Sequence, residues 1–139
     1  MPVSFHSEQI NFSISEEHAV TTWLNEVCVA EGKSLEAVSY IFCSDEYLLE
    51  MNRQYLNHDY YTDVITFDYC EADAVSGDVF ISIDRVEENA QNVGVSKQDE
   101  LHRIMVHGLL HLIGYGDKSE ADKEQMTQKE DYYLSLRAL

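Results

Sequence analysis

His107 and His111 stand four residues apart in the stretch LHRIMVHGLLHLIGYGDKSE, and Asp117 follows them within the same stretch. On a helix the i, i+4 spacing places both imidazoles on one face about 6 Å apart, a separation that two ligands of one metal ion can bridge. Gly114 and Gly116 let the chain turn sharply and return Asp117 toward that face. Two histidines, a carboxylate and an open position make a catalytic set rather than a structural one, because closed zinc sites fill all four positions with protein ligands, usually thiolates. An ion held this way acidifies its bound water to near neutrality and polarises a phosphoryl or carbonyl oxygen, so the implied reaction is hydrolysis.

The same residues also admit plainer roles. With six histidines in 139 residues, chance supplies a pair four apart roughly one time in five, so the spacing alone is weak. The alternative to a metal is two hydrogen-bonded core histidines. Burial sharpens that choice: Leu101, Ile104, Met105, Val106, Leu109, Leu110, Leu112 and Ile113 leave the helix no broad polar face, which predicts that it is buried at the centre of the fold. An unsatisfied imidazole there would cost about 1–3 kcal/mol. Asp117 opens the sequence DKSE, a capping box in which it would cap the last helix while Glu120 reaches back. Ser119 with Asp122 offers a cap two residues later that would leave Asp117 free for a metal. A peptidase of the H-E-x-x-H type needs a glutamate directly after the first histidine, where this chain has Gly108. The two-histidine, one-carboxylate set of non-haem iron oxygenases is a further possibility, but the chain lacks an all-β pattern and places both histidines on one helical turn.

The elements that must carry these residues follow from periodicity. Short β-prone pieces lie near 2–6 and 10–14, and a helix is expected from Ser15 to about Gly32 with Val20, Trp23, Leu24 and Val27 on one face. Ala37 to Cys43 alternates as a strand, and Ser44 is the N-cap of a helix running to about Leu56. DVITFDY from Asp63 and GDVFISI from Gly77 read as neighbouring strands joined by the polar loop CEADAVS. Helices follow from Asp84 to about Val93, from Lys97 to Ile113, and from Ser119 to about Leu136. The order predicts an α+β fold over one domain, residues 1–139, with a single small mixed sheet packed by about five helices.

Composition limits what such a domain can do. The chain has 9 Lys+Arg against 26 Asp+Glu, a formal charge of −17, with 45% hydrophobic and 11% aromatic residues. That hydrophobic content suits a globular core and argues against disorder. The charge argues against affinity driven by a broad basic surface, as in ordinary nucleic-acid or membrane-surface binders. No apolar run is long enough to span a membrane, and the opening MPVSFHSEQINFSIS shows no secretory leader. Cys28, Cys43 and Cys70 are odd in number and lack C-x-x-C spacing, so free thiols in a cytoplasmic protein are expected.

Beyond composition, HGLLHLIGYGD at 107–117 resembles the H-G-x-L-H-L-x-G-Y-D-H signature of the YbeY family of metal-dependent endoribonucleases. NRQY at 52–55, TDVITFDY at 62–69, GDVFIS at 77–82, and Met126 with Glu130 fall in the same register, so the resemblance covers most of the chain from about residue 45 to 130. It implies an α+β fold, one zinc ion held by three motif residues, cleavage of single-stranded RNA, and a role in maturation of small-subunit rRNA and ribosome biogenesis. Carried over by position, His107 and His111 are the first two ligands. The third family ligand is a histidine where this chain has Asp117, a substitution that keeps a zinc donor but makes the ion a weaker Lewis acid. The family also has an arginine directly after the tyrosine of N-x-x-Y, where this chain has Leu56.

Arg103, one turn before His107, is therefore a candidate for phosphate contact, with Arg53 the other. Tyr55, Tyr60 and Tyr61 could stack on unpaired bases, although packing and loop anchoring are the plainer roles. Asp63, Asp68 and Asp78 could orient a ligand imidazole, against turn and strand-end roles. His6, His18, His58 and His102 lack partners at ligand spacing. The expected partners are RNA, chiefly rRNA, and the ribosome or a basic ribosomal protein, with no membrane. The rival readings are a non-catalytic ribosome-assembly factor with a structural metal and a small metallopeptidase.

Overall fold

The computed structural model describes residues 2–138. Its elements are β1 (Val3–Glu8), α1 (Glu17–Ala30), β2 (Ser34–Cys43), α2 (Asp45–Leu56), β3 (Val64–Asp68), β4 (Ala74–Ser82), α3 (Ile83–Val93), α4 (Lys97–Ile113) and α5 (Glu120–Ser135). The strands form one mixed sheet in the order β1-β2-β4-β3, in which β3 is the antiparallel edge. β1 pairs in parallel with β2 from Val3↔Val38 to Glu8↔Cys43, and β2 pairs in parallel with β4 up to Cys43↔Ser82. The fold is thus the α+β arrangement of one small sheet and five helices.

Alternation along the strands divides the interior in two. Val38, Tyr40 and Phe42 of β2 and Val75, Val79 and Ile81 of β4 point to the main core with α1, α3, α4 and α5. Cys43, Ile65, Phe67 and Phe80 point the other way, against Leu48 and Met51 of α2. Serine hydroxyls cap four helices: Ser44 accepts from the Tyr47 amide, Ser82 from Arg85, Ser96 from Asp99 and Ser119 from Asp122. Each satisfies an amide that the first turn leaves without a partner.

Helix α4 is the most buried of the helices. Leu101, His102, Ile104, Met105, Val106, Leu109, Leu110 and Leu112 are all buried, and the helix packs on β3, β4, α1, α3 and α5. Its approach to the sheet depends on Gly108, since a Cβ there would lie 2.7 Å from Val79 Cγ1. Tyr40 of β2 pins the helix further by donating its hydroxyl to the Met105 carbonyl at 3.0 Å. No helix among the described residues is long and apolar enough to cross a membrane.

Three element boundaries differ from expectation. The 10–14 segment is not a strand, although Ile14 is buried and Phe12 packs edge-on against Phe42. Gln9 adopts φ 55°, which turns the chain off the sheet, and the Ser7 hydroxyl then holds the Phe12 carbonyl. The alternation there marks a segment packed on the core without a strand partner. β4 begins at Ala74 because the hairpin closes tightly through the Glu71↔Ala74 bridge, with Ala72 at φ 52°. β2 begins earlier too, at Ser34, through an irregularity between Leu35 and Ala37 that a strict period of two does not reveal.

Candidate metal centre

The solvent-facing stripe of α4 carries His107 and His111, whose rings meet edge to face with centroids 4.5 Å apart. Their Nε2 atoms are 3.0 Å apart. Asp117 Oδ2 lies 3.2 Å from His111 Nε2 and 3.5 Å from His107 Nε2. One ligand atom from each of the three falls within 4.8 Å of the others. The imidazoles are partly accessible, at 22% and 24% exposure, and Asp117 is more open at 42%. The cluster has one side toward solvent, where a substrate and water can approach.

Asp117 is free to take this position because it is not a helix cap. Ser119 occupies the N-cap of α5 and accepts from the Asp122 amide at 3.0 Å. The chain reaches Asp117 through Gly114, at φ 124°, whose amide closes α4 on the Leu110 and His111 carbonyls. A side chain at that φ would strain the turn that delivers the carboxylate.

The outer nitrogens of both histidines are engaged by acceptors. His107 Nδ1 is 2.6 Å from Glu130 Oε2, and His111 Nδ1 is 2.9 Å from the Tyr115 carbonyl. A carboxylate and a carbonyl can only accept, so each Nδ1 carries hydrogen and each neutral Nε2 presents its lone pair. With both rings neutral, two such lone pairs and a carboxylate oxygen converge on one another. That electron-rich convergence fits a cation, and hydrogen bonds at the far nitrogens are the usual means of orienting metal-ligating histidines. Without one, the site favours a proton instead. Burial opposes charge on His107, but the Glu130 hydrogen bond and the charges of Glu130, Asp117 and Asp63 outweigh it and raise its pKa.

Glu130 is only 7% exposed, and its second oxygen accepts from Arg103 Nη1 at 2.8 Å. Arg103 Nη2 donates to Asp131 Oδ1 at 2.5 Å. Arg103 thus faces α5 in an ion-paired network one step behind His107. The role of Glu130 against His107 was not readable from spacing, because the partners lie on different helices; only its place in the family register marked it. The Tyr115 carbonyl has no sequence signal at all, being backbone.

The remaining candidates make no hydrogen bond to the cluster, although the Asp63 charge acts on His107. Arg53 pairs with Asp59 and Glu50. Asp68 accepts from the Cys70 amide, Asp78 from the Tyr69 hydroxyl and Asp63 from Asn89. Tyr55, Tyr60 and Tyr61 are exposed; Tyr60 stacks on His58, and Tyr61 donates to Glu46 beneath the Arg85 guanidinium. His6 bonds to Ser4, His18 is exposed, and His102 is buried against Trp23 and Arg137. At position 108 the sheet leaves no space for a glutamate.

A mixed sheet backed by a helix that presents two oriented imidazoles, completed by a carboxylate from the next loop, defines a small metal-dependent hydrolase. The family model described as Endoribonuclease YbeY matches residues 3–137, and the chain belongs to that family of endoribonucleases. It is 52% identical over 136 residues to the Endoribonuclease YbeY of Cytophaga hutchinsonii, covering 97% of this chain and 95% of that protein. The corresponding protein of Bacteroides thetaiotaomicron is 47% identical over 137 residues, covering 99% of this chain and all of that one. The solution structure of TM1509 from Thermotoga maritima superposes with a TM-score of 0.68 at 27% identity, covering 96% of this chain and 87% of that one.

Proposed function

We propose that this chain, as one domain over residues 1–139, is a zinc-dependent endoribonuclease that cleaves single-stranded RNA in small-subunit rRNA maturation, with His107, His111 and Asp117 as the metal ligands. The observation that carries the reading is the convergence of two Nε2 lone pairs and the Asp117 oxygen, with both Nδ1 atoms already committed to acceptors. Zinc suits nitrogen and carboxylate donors in a three-ligand set with an open position. A bound ion of this kind supplies Lewis acidity to a phosphoryl oxygen and makes water a usable nucleophile near neutral pH.

The chain's own residues do the positioning. Glu130 holds His107 in the Nδ1–H tautomer, and the Tyr115 carbonyl does the same for His111. Arg103 acts through Glu130, because its guanidinium is spent on Glu130 and Asp131 rather than left open for phosphate. Asp117 brings a negative charge where the family has a neutral imidazole. It lowers the net charge of the centre and binds the ion more tightly at the expense of its acidity.

A basic ribosomal protein is the partner that the surface suits. Across the sheet from the metal centre, an open groove of about 640 Å³ has Phe67 and Phe80 in its lining together with Glu46, Glu50 and Asp78, and contains no lysine or arginine. Three free cysteines, two of them buried, support a reducing cytoplasmic setting.

The test is metal analysis of protein purified without added zinc, followed by RNA cleavage with and without chelator. About one equivalent of zinc, cleavage abolished by chelation, and loss of both in Asp117→Ala are expected. A metal-free protein whose Asp117→Ala variant cleaves like the wild type would sink the reading.

A further inference from the structure

Glu31 breaks a local rule. It is the C-cap residue of α1, where the helix dipole and the unpaired carbonyls disfavour a negative charge, and no basic residue occupies the last turn. Its side chain is nevertheless only 10% exposed. Three donors from the far end of the chain meet it: the Tyr115 hydroxyl at 2.5 Å, the Tyr133 hydroxyl, and Lys129 Nζ at 3.1 Å. A partly buried carboxylate in an unfavourable place with three donors is a device that holds something else in position.

What it holds is the strand of chain between the second and third ligands. Tyr115 is fastened at both ends, since its hydroxyl is on Glu31 while its carbonyl accepts from His111 Nδ1 at 2.9 Å. Lys129 Nζ also lies 5.4 Å from the centre of the Tyr115 ring, so the ring is covered as well as tethered. Asp117 follows two residues later, beyond Gly116. The Gly114 and Tyr115 amides close the end of α4 on the Leu110 carbonyl, which fixes the start of the loop, while Gly114 and Gly116 on either side of Tyr115 offer no side chain, so Tyr115 supplies the side-chain anchor of residues 114–116.

We infer that Glu31 is a positioning residue for the metal centre: through Tyr115 it fixes both the His111 tautomer and the place of the Asp117 carboxylate. This rests on the ligand set proposed above, although its effect on His111 does not need a metal. α1, the loop and α5 meet at one carboxylate, so a change at α1 is transmitted to ligands eighty or more positions away.

The experiment uses Glu31→Gln, Tyr115→Phe and the double variant, with Val20→Ala in the same helix as a control for simple destabilisation. Two quantities are read: Zn²⁺ and Co²⁺ affinity by competition with a chromogenic chelator, and the His111 tautomer in metal-free protein by ¹⁵N chemical shifts. Each single variant should lose about tenfold in metal affinity, the low end for partners outside the ligand set. The double variant should lose no more than the larger single loss, because both act through one hydrogen bond. In the metal-free protein, His111 should change from a single Nδ1–H form to a mixture. Val20→Ala should lower the melting temperature without moving either readout. Unchanged metal-free shifts in Glu31→Gln, or losses that add in the double variant, would overturn the inference. A wild type that binds no metal but shows the tautomer change would instead refute the ligand set and leave the positioning role standing.

Discussion

His102 shows how burial decides what a histidine can do in this molecule. It stands on the same helix as His107 and His111 but faces the core, at 1% exposure, with Trp23 beside it and Arg137 Nη1 donating to its Nδ1 at 2.8 Å. Burial and then the Arg137 charge push its pKa down to about 4. In the unfolded chain the group titrates near 6.5, so between those values the unfolded state binds a proton that the folded state refuses. Stability therefore falls as pH drops from about 6.5 toward 4, by at most about 1.4 kcal/mol per pH unit from this residue. Urea unfolding at pH 7 and pH 5 should show a smaller difference between the two pH values in His102→Gln than in the wild type; equal differences would remove His102 as a source of acid sensitivity. Among the six histidines, spacing alone distinguished His107 and His111 from His102. The capping choice at Asp117 was not readable, because Asp117 and Ser119 both satisfy the local rule and only the path of the chain decides. Glu31 was illegible for a stronger reason: its partners are Tyr115, Lys129 and Tyr133, and no local pattern joins residues so far apart.

At the scale of elements, the His107–His111–Asp117 cluster depends on how closely α4 lies on the sheet. Gly108 sits between the two histidines, where an added Cβ would meet Val79 Cγ1 at 2.7 Å and Thr66 Cγ2 at 3.5 Å. Val79 is wholly buried and has nowhere to move. Gly108→Ala gains about 1 kcal/mol of helix propensity, but overpacking a filled core loses about 1–3 kcal/mol. We expect a net loss near 1 kcal/mol in chemical denaturation, with partial recovery in Gly108→Ala/Val79→Ala because the clash is with one side chain. A stabilised Gly108→Ala would show that α4 has slack against β4. The elements themselves were largely legible, since apolar periodicity located five helices within a few residues and Ser44 and Ser119 marked the starts of two. The 10–14 segment was not. Its alternation is real, as Phe12 and Ile14 both pack inward, but a strand also needs a hydrogen-bonding neighbour, and Gln9 turns the chain away from one.

For the whole molecule, a charge of −17 and an RNA substrate are compatible only if the positive charge is local. Seven of the nine basic residues, at 33, 53, 85, 97, 103, 129 and 137, are in ion pairs with carboxylates. Among the described residues that leaves Lys118 and Lys123 without such a pair, both exposed, one directly after Asp117 and the other in the first turns of α5. The two unpaired lysines thus both fall in the segment that directly follows Asp117, while the net charge elsewhere is negative. A basic nuclease loses RNA affinity steeply as salt rises, because binding releases counterions. Here the long-range term has the opposite sign, and screening should help the encounter. Cleavage of a short single-stranded RNA, measured as kcat/KM, should rise or stay flat between about 20 and 150 mM salt, within the range where the Debye length contracts to about 8 Å. Adding a basic ribosomal protein should increase cleavage at low salt and lose that effect at high salt, because its attraction to the acidic groove is itself screened. Lys118→Ala/Lys123→Ala should lower kcat/KM with zinc content unchanged. Tight binding of free RNA by the isolated protein, weakening steeply with salt, would mean that the paired arginines and lysines open to the substrate and that no basic partner is needed to deliver it.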